Sequence, residues 1–423
     1  MIWVENLILT EYLTINLTGK GFDDLLMEKS QRLWLNIVGK SRYDTIWAKA
    51  GHILVTSQFE LIYFYRKKSG NLDSPLSSCR LISRSGTMVI EESESAISVC
   101  NLHDKTGLKY TLGMVEKSTG SILQYRDRAN DRNLFHSLLG CFTRAATDND
   151  IGGGTKSYNA RWLRYGLDPS SPPLPVCFHL HSNMDEQQRV VEVRAHCDVR
   201  SSREGKVIFH QVLTYHLDDS GTLLMNMNVQ PTDSLRFIGS LPRVGVTLTI
   251  DPSLFHITYC GRGPLENYPD RKAAAHQGIW ESSPSKMGYN YIYPTENGNR
   301  CDCRWVAFRD ETGKGFCIAD ACFSGQGFNF SALLHSQKEL YETSHTHQLQ
   351  EREDGQAPIY VHIDTALMGL GGDVSWRPCV HPEYEVSPKS RYEFSLLFIH
   401  LEPVSNPWNL VNSELMRLVN GRS

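Results

Sequence analysis

The sequence lacks any long run of apolar residues. The best candidates, such as Phe394–Ile399, are only as long as a strand, whereas a membrane-spanning helix needs about 20 apolar residues. The sequence also lacks a charge surplus, because 43 basic residues stand against 47 acidic ones and leave a net charge of −4. Nucleic acids and anionic membranes attract proteins through an excess of basic residues. The composition therefore argues against both as partners.

Cysteine is sparse and odd in number, with 11 residues in a chain of 423. Small secreted scaffolds held by disulfides are denser in cysteine and usually contain an even number. The segment Met1–Leu7 has no basic start, no long apolar stretch and no small-residue cleavage site, so it does not read as a signal peptide. We therefore expect a soluble globular protein in the cytoplasm or another intracellular, reducing compartment.

Several common site motifs are missing or incomplete. No Gly-x-Ser-x-Gly sequence occurs, and Gly261-Arg-Gly-Pro264 lacks the third glycine and the helix of a phosphate loop. Cys301-Asp-Cys303 is one residue shorter than the usual zinc spacing. His345-Thr-His347 would place two imidazoles on one face of a strand, but no third ligand can be named. We therefore predict no metal site and no catalytic residue in this chain.

Strand patterns dominate the rest of the chain. Val207–Leu217 and Thr222–Val229 are rich in β-forming residues and flank an Asp-Asp-Ser-Gly turn, which predicts a hairpin. Ser240–Ile250 predicts a strand with a bulge at Gly245, and Tyr392–Ile399 predicts another. Helical periodicity is scarce outside the tail that begins at Asn406. The pattern predicts an all-β, antiparallel sandwich or barrel.

Three segments are too polar, aromatic and glycine-rich for a plain core: Tyr259–Arg271, Tyr293–Gly298 and Gly369–Pro378. Aromatic faces stack on the C–H face of a pyranose and planar polar groups bind its hydroxyls, so these loops suit a sugar. Glycoside hydrolysis needs two carboxyl groups, and eight candidates lie in such contexts: Asp148, Asp150, Glu266, Asp270, Glu296, Glu342, Asp364 and Asp373. Each could equally be a capping or turn residue.

The same segments carry a resemblance to a known family. The sequences 261–271, 293–298, 342–347 and 368–376 resemble the C-terminal β-sandwich of glycoside hydrolase family 2 β-galactosidases. Thr147–Gly152 resembles an entry motif of that domain, and Trp47–Glu60 resembles the end of the immunoglobulin-like domain before it. The continuation after Gly152 is similar to the plant and other long forms.

The resemblance implies a large antiparallel supersandwich related to galactose mutarotase. We expect a partial immunoglobulin-like module at 1–70, a linker at 71–88, the supersandwich at 89–403 and a tail at 404–423. In this family the catalytic glutamates and the Mg²⁺ and Na⁺ ligands lie on a TIM barrel, which residues 1–40 are too few to form. The implied protein is the C-terminal component of a β-galactosidase that cleaves terminal β-D-galactosides with retention.

The resemblance also suggests which residues contact the sugar. Trp376 matches a tryptophan at the active-site mouth, and Gly152 begins the loop beside it, where a glycine would suit a hinge. Asp148, Asn149 and Asp150 precede that loop. Further motif positions, to which the sequence assigns no chemistry, are Arg262, Glu266, Asn267, Asp270, Arg271, Glu296, Asn297, His345, His347 and Asp373.

The sequence departs from the family pattern just before the Gly152 loop. Ala146 stands where the family has a proline, and Ser137–Cys141 looks inserted, which could displace the loop. Because the barrel is missing, we expect the isolated chain to be inactive without a barrel-bearing large subunit, and a homo-oligomer is also possible. The alternatives are a non-catalytic carbohydrate-binding or assembly module and an aldose 1-epimerase, which the fold would allow.

Overall fold

The computed structural model describes residues 32–63, 87–102, 109–127, 132–185, 190–322, 326–374 and 376–420. The chain divides into two compact units, 1–73 and 74–423. The predicted linker 71–88 lies outside the described residues except for Thr87 and Met88, which already belong to a strand. No helix in the described residues is long and apolar enough to cross a membrane.

Twenty strands are present in the described residues. They are β1 (Arg32–Lys40), β2 (Ile53–Tyr63), β3 (Thr87–Glu92), β4 (Ala96–Leu102), β5 (Lys109–Glu116), β6 (Ile122–Arg126), β7 (Asn133–Cys141), β8 (Pro175–Asp185), β9 (Val190–Arg200), β10 (Val207–Asp218), β11 (Leu223–Pro231), β12 (Arg243–Ile250), β13 (His256–Gly263), β14 (His276–Ser282), β15 (Arg300–Cys303), β16 (Trp305–Arg309), β17 (Gly315–Asp320), β18 (Phe328–Leu333), β19 (Ile359–Leu367) and β20 (Tyr392–Leu401). The helices are α1 (Asp148–Ile151), α2 (Tyr158–Tyr165), α3 (Pro284–Met287), α4 (Gln337–Glu342) and α5 (Pro407–Asn420).

The first unit contains one antiparallel hairpin in its described residues. Strand β1 pairs with β2 from Arg32 opposite Tyr63 to Lys40 opposite Ile53. Trp47, in the connection between them, is 64% exposed. The immunoglobulin-like identity of this unit stays a prediction.

The second unit is built from two nine-stranded sheets whose strands all pair antiparallel. Sheet I has the order β14-β13-β16-β17-β20-β11-β10-β9-β8, and sheet II has the order β15-β18-β19-β12-β7-β6-β5-β4-β3. Their facing sides enclose one large apolar core. The predicted all-β, antiparallel supersandwich is therefore confirmed.

Strand β9 shows how the sequence selects the buried face. Val191, Val193 and Ala195 alternate along the strand and are fully buried, whereas Glu192 and Arg194 between them point to the other face. This alternation follows from the two-residue repeat of a strand. The predicted hairpin is confirmed as β10 and β11, which pair from Phe209 to Leu217.

Two register shifts interrupt the regular pairing of β12 in sheet II. Strand β12 shifts register between Val244 and Gly245 against β19, as the glycine predicted. Strand β7 shifts register against β12, because Leu139 pairs with Thr247 while His136 pairs with Thr249, and Ser137 has a φ of 55°. The Ser137–Cys141 segment, whose insertion stays a prediction, thus contains a bulge, which adds a residue without ending the strand.

The predicted tail helix is present as α5 and covers part of the outer face of sheet I. Val411 and Leu418 are 4% and 0% exposed and pack in a second apolar cluster with residues such as Leu397. Arg417 Nη2 donates a hydrogen bond to Asp218 Oδ2 over 2.6 Å. Full burial of such a leucine or valine contributes about 1.5–3 kcal/mol, so the tail is an integral part of the sandwich.

Candidate functional site

Arg144 connects two of the segments that carry the family resemblance. Its side chain is fully buried and meets the Asp150 carboxylate in a two-point contact, with Nε–Oδ2 3.0 Å and Nη2–Oδ1 2.6 Å. It also donates to the carbonyl oxygens of Met368 at 2.6 Å and Gly369 at 3.1 Å. One guanidinium therefore holds the 147–152 segment against the 368–371 segment, which is a use suited to its planar, forked donors.

The short helix α1 orients the residues before the Gly152 loop. Thr147 caps it, accepting from the Asp150 amide, while the Thr147 amide donates to the Asp150 carboxylate at 2.9 Å. Asn149 Nδ2 donates to the Leu370 carbonyl at 2.6 Å. Asp148 is exposed. Asp150 and the amide nitrogen of Asn149 thus bind protein groups, and Asp148 remains free to face solvent.

The first left-handed glycine of this loop is Gly153, one position after Gly152. Gly152 has φ −55° and ψ 133°, which any residue can adopt, whereas Gly153 has φ 99° in the left-handed region. A Cβ on Gly153 would lie 2.8 Å from Pro378 Cδ. The requirement for glycine therefore falls on Gly153, where the loop packs against the chain that follows Trp376.

Trp376 lies at the free surface beside this contact and is 70% exposed. Its neighbours Arg377 and Pro378 contact Gly153, so the structure brings the two predicted sugar loops together. Asp373, in the same segment, accepts from His381 Nε2 over 3.0 Å and is itself highly exposed. That carboxylate raises the pKa of His381.

Asp270 binds the backbone of the glycine-rich segment that begins at Gly369. Its carboxylate accepts hydrogen bonds from the amides of Leu370 at 3.1 Å and Gly371 at 2.8 Å. A Cβ on Gly369 would lie 2.6 Å from Asp270 Oδ2, so this approach needs the glycine. Asp270 therefore shapes the loop that leads to Trp376.

Glu266 joins the 261–271 motif to the 293–298 motif. Its carboxylate accepts from Arg271 Nη2 at 2.6 Å, from the Gly298 amide at 2.8 Å and from the Tyr291 hydroxyl. Burial, together with the hydrogen bond to this carboxylate, raises the pKa of Tyr291. All the described contacts of Glu266 fix the protein's own loops.

Three further polar residues of these motifs are also engaged. Asn267 accepts from the Cys301 amide at 2.9 Å and donates to two carbonyls of its own loop. Arg262 Nε lies 2.5 Å from Asp302 Oδ2. Asn297 accepts from the Tyr289 amide at 3.1 Å and donates to the Thr295 carbonyl at 2.7 Å. The motif residues therefore build a rigid loop assembly.

The predicted strand at His345-Thr-His347 is wrong. Thr346–Gln348 forms a 3-10 turn with His345 at its start, and the two imidazole rings are 5.5 Å apart. The cause is a long-range tether, because the Thr346 amide donates to the Ile292 carbonyl at 3.0 Å. Among the described residues, no group of three or more His, Cys, Asp or Glu is arranged to hold a metal ion.

The sequence analysis did not predict Arg243 or the buried charged cluster that it forms with Glu296 and Asp364. Arg243 is fully buried, and its Nη2 donates to Glu296 Oε1 over 2.8 Å. Its Nε lies 3.4 Å from Asp364 Oδ2, but the Asp364 oxygens have no hydrogen-bond partner. Burial raises the pKa of Asp364 to about 7. Below that pH the Asp364 carboxyl group keeps its proton, because burial and the nearby Glu296 carboxylate both disfavour its charged form.

This cluster borders a small cavity on sheet II. His362 and Glu296 line it together with Ser331 and Tyr360. His362 is 8% exposed, and burial lowers its pKa well below the ordinary value, so its imidazole is neutral. Two features of the sequence indicate this cluster. Asp364 lies in an otherwise apolar strand, and Gly245 has no side chain, which leaves room for the Asp364 carboxylate. Of the eight candidate carboxylates, Glu296 and Asp364 meet on one guanidinium.

Comparison with known proteins identifies the family. The family described as beta galactosidase small chain matches residues 109–398. A beta-galactosidase of Pseudoalteromonas haloplanktis is 31% identical over 377 residues, which cover 87% of this chain and 32% of that protein. A beta-galactosidase of Oenococcus oeni is 29% identical, and the aligned residues cover 81% of this chain and 30% of that protein. The chain thus spans about a third of the length of these relatives.

A solved galactose 1-epimerase from Lactobacillus acidophilus covers 75% of this chain and 99% of its own, with 7% identity and a TM-score of 0.38. A likeness at that level carries no argument about function. The family match, which extends from β5 into β20, is independent of it and includes every loop described in this subsection. This chain belongs to the β-galactosidase small-chain family.

Proposed function

We propose that the chain is the C-terminal component of a β-galactosidase that hydrolyses terminal β-D-galactosides, of the lactose type, with retention. A barrel-bearing partner chain or segment would supply the two catalytic glutamates and the Mg²⁺ and Na⁺ ligands. The observation that carries the proposal is the joined pair of loops: Arg144 and Gly153 hold the Gly152 loop against the segment that presents Trp376. Trp376 would stack on the apolar face of the galactose ring as it enters.

The engagement of the carboxylates supports a catalytic pair from outside this chain. A glycosidase needs one carboxyl group as acid and another as nucleophile or base, about 5–9 Å apart on either side of the glycosidic bond. Here Asp150 binds Arg144, Asp270 binds two amides and Glu266 binds three donors. Groups so occupied serve the scaffold, so we expect no hydrolysis by the chain alone.

Reconstitution tests the proposal. A chromogenic β-galactoside is incubated with the purified chain, with a barrel-bearing fragment of a related enzyme, and with both. We expect turnover only in the mixture, since each part lacks what the other supplies. Turnover by the chain alone would contradict the assignment of catalysis to the partner, and an inactive mixture would contradict the role as a complementing component.

A variant pair tests the role of Trp376 in the reconstituted enzyme. Trp376→Ala should raise KM for the galactoside several-fold, on the order of ten-fold at most, because the variant loses the aromatic face on which the sugar ring would stack. Phe237→Ala is the matched control, since Phe237 is an aromatic side chain that is also 70% exposed. Equal KM values for the two variants would mean that Trp376 does not contact the substrate.

A non-catalytic sugar-binding or assembly module is the second candidate, and the exposure of Trp376 supports it. In that case the chain would bind galactose without any partner, and Trp376→Ala would abolish the binding. Calorimetric titration of the chain with galactose distinguishes the two. Binding without turnover in any mixture would favour the module, whereas turnover in the mixture favours the enzyme component.

A further inference from the structure

Two cysteines face each other across the edge of sheet I. Cys177 on β8 and Cys197 on β9 are direct partners in the antiparallel ladder. Residues directly opposite in such a ladder have Cα atoms about 4.5–5.5 Å apart, and disulfides form at Cα separations of about 4.4–6.8 Å. The backbone therefore already holds the pair within reach of a disulfide.

The two sulfur atoms also lie on the same side of the strands. A Cβ on Gly120, in the turn between β5 and β6, would lie 3.0 Å from Cys197 Sγ and 3.6 Å from Cys177 Sγ. Cys197 Sγ also donates to the Thr119 carbonyl at 3.3 Å. Both sulfurs are thus gathered under a single turn of the opposite sheet.

Solvent reaches Cys177 more readily than Cys197. Strand β8 is the last strand of sheet I, and Cys177 is partly exposed, whereas Cys197 is 1% exposed. Burial and the neighbouring Cys177 raise the pKa of the Cys197 thiol. Because the thiolate is the reactive form of cysteine, a reagent in solution meets Cys177 first.

We propose that Cys177 and Cys197 are a modification site, which forms a reversible cross-strand disulfide by exchange with a low-molecular-weight disulfide such as oxidised glutathione. The Cys177 thiolate attacks the glutathione disulfide, which releases one glutathione thiolate and leaves a mixed disulfide on Cys177. Cys197 then loses its proton and attacks the Cys177 sulfur, which releases the second glutathione. Two protein thiols are oxidised and one glutathione disulfide is reduced to two thiols.

The Cys177–Cys197 disulfide would join the edge strand β8 covalently to β9. At this position β8 is irregular, and the Cys177 amide donates to the Ser118 carbonyl at 2.8 Å and not to β9. The same strand presents Val176 and Phe178 to solvent at 47% and 67% exposure. A covalent tie to β9 would reduce the opening of this edge, so the β8 amides should exchange hydrogen more slowly in the oxidised chain.

Peptide mapping tests the proposal directly on the full chain. The chain is incubated with oxidised glutathione, alkylated and cut with trypsin, which separates the two residues into Tyr165–Arg189 and Ala195–Arg200, with one cysteine each. We expect these two peptides to be joined, with the mass of their sum less two hydrogen atoms, and to separate on treatment with a reducing thiol.

Single variants and an internal control complete the test. In Cys197→Ala, Cys177 should stop at the glutathione mixed disulfide, and in Cys177→Ser, Cys197 should stay reduced. Cys379 is a partly exposed control whose sulfur donates to the Val374 carbonyl at 2.8 Å, and it should form only the mixed disulfide. Absence of the joined peptide at every ratio of oxidised to reduced glutathione, or joining of Cys177 to another cysteine, would overturn the proposal.

Discussion

Replacing Arg144 by methionine should destabilise the sandwich strongly. The guanidinium is fully buried, and the Asp150 carboxylate that it neutralises is 1% exposed. Removing one partner of a buried ion pair leaves the other charge without compensation and costs about 3–5 kcal/mol. The Met368 and Gly369 carbonyls also lose their donor, each at about 1–3 kcal/mol when no water replaces it. These losses overlap within one network, so we expect about 4 kcal/mol in total.

Urea unfolding followed by tryptophan fluorescence measures this loss, because the Arg144 guanidinium lies 5.3 Å from the ring of the buried Trp162. At a constant slope, the shift of the unfolding midpoint gives the change in the free energy of unfolding. Arg271→Met is the matched control, since Arg271 also pairs with a carboxylate but its side chain is 53% exposed. An exposed pair contributes about 0–1 kcal/mol.

A second substitution separates charge from packing. In Arg144→Met combined with Asp150→Asn, the buried charge is absent, and we expect the double variant to be more stable than Arg144→Met alone. The reasoning is refuted if Arg144→Met lowers the free energy of unfolding no more than Arg271→Met does. It is also refuted if adding Asp150→Asn to Arg144→Met lowers the free energy of unfolding by as much as Asp150→Asn does in the wild type. Either result would mean that Asp150 is not held as a charged group by Arg144.

Two further predictions concern the loop and the buried cluster. Gly153→Ala should lower reconstituted activity more than Gly154→Ala, because both glycines have positive φ but only a Cβ on Gly153 meets a neighbour, Pro378, at 2.8 Å; equal steady-state rates for the two variants would contradict this. The Asp364 carboxyl has a pKa of about 7 when folded against an ordinary 3.8, so between about pH 4 and 7 the folded state keeps a proton that the unfolded state loses, and this group's contribution to stability falls as pH rises. Urea midpoints across that window should therefore fall more steeply for the wild type than for Asp364→Asn, and parallel curves would refute the assignment.

Local patterns were sufficient to predict much of the sheet structure. The β10–β11 hairpin follows from two β-rich runs around Asp218–Gly221, and the register shift at Gly245 follows from a glycine inside a strand. The tail helix follows from its apolar periodicity. Each of these features is decided within about a dozen residues, by alternation, turn chemistry or helical repeat.

Long-range contacts decided what the patterns could not. His345-Thr-His347 alternates like a strand, but its tether to Ile292 makes it a turn. Arg243 and Asp364 are far apart in sequence and meet only because β12 pairs with β19. The family motifs predicted which loops contact the sugar, but they did not reveal that Glu266 and Asp270 hydrogen-bond to the backbone of those loops.

The hydrogen bonds in these motifs indicate two separate roles in the loop assembly: some residues hold the loops in place, and others remain available to a substrate. A carboxylate that accepts two or three protein donors gains little by turning to a sugar, because it would leave those donors unpaired at about 1–3 kcal/mol each. Asp150, Glu266 and Asp270 are all in this position. A side chain without such hydrogen bonds can contact the substrate at a lower cost in free energy, and the exposed Trp376 and Asp148 both meet this condition. The hydrogen-bonded motif residues would then act on the sugar indirectly, by holding Trp376 and the Gly152 loop in one fixed arrangement.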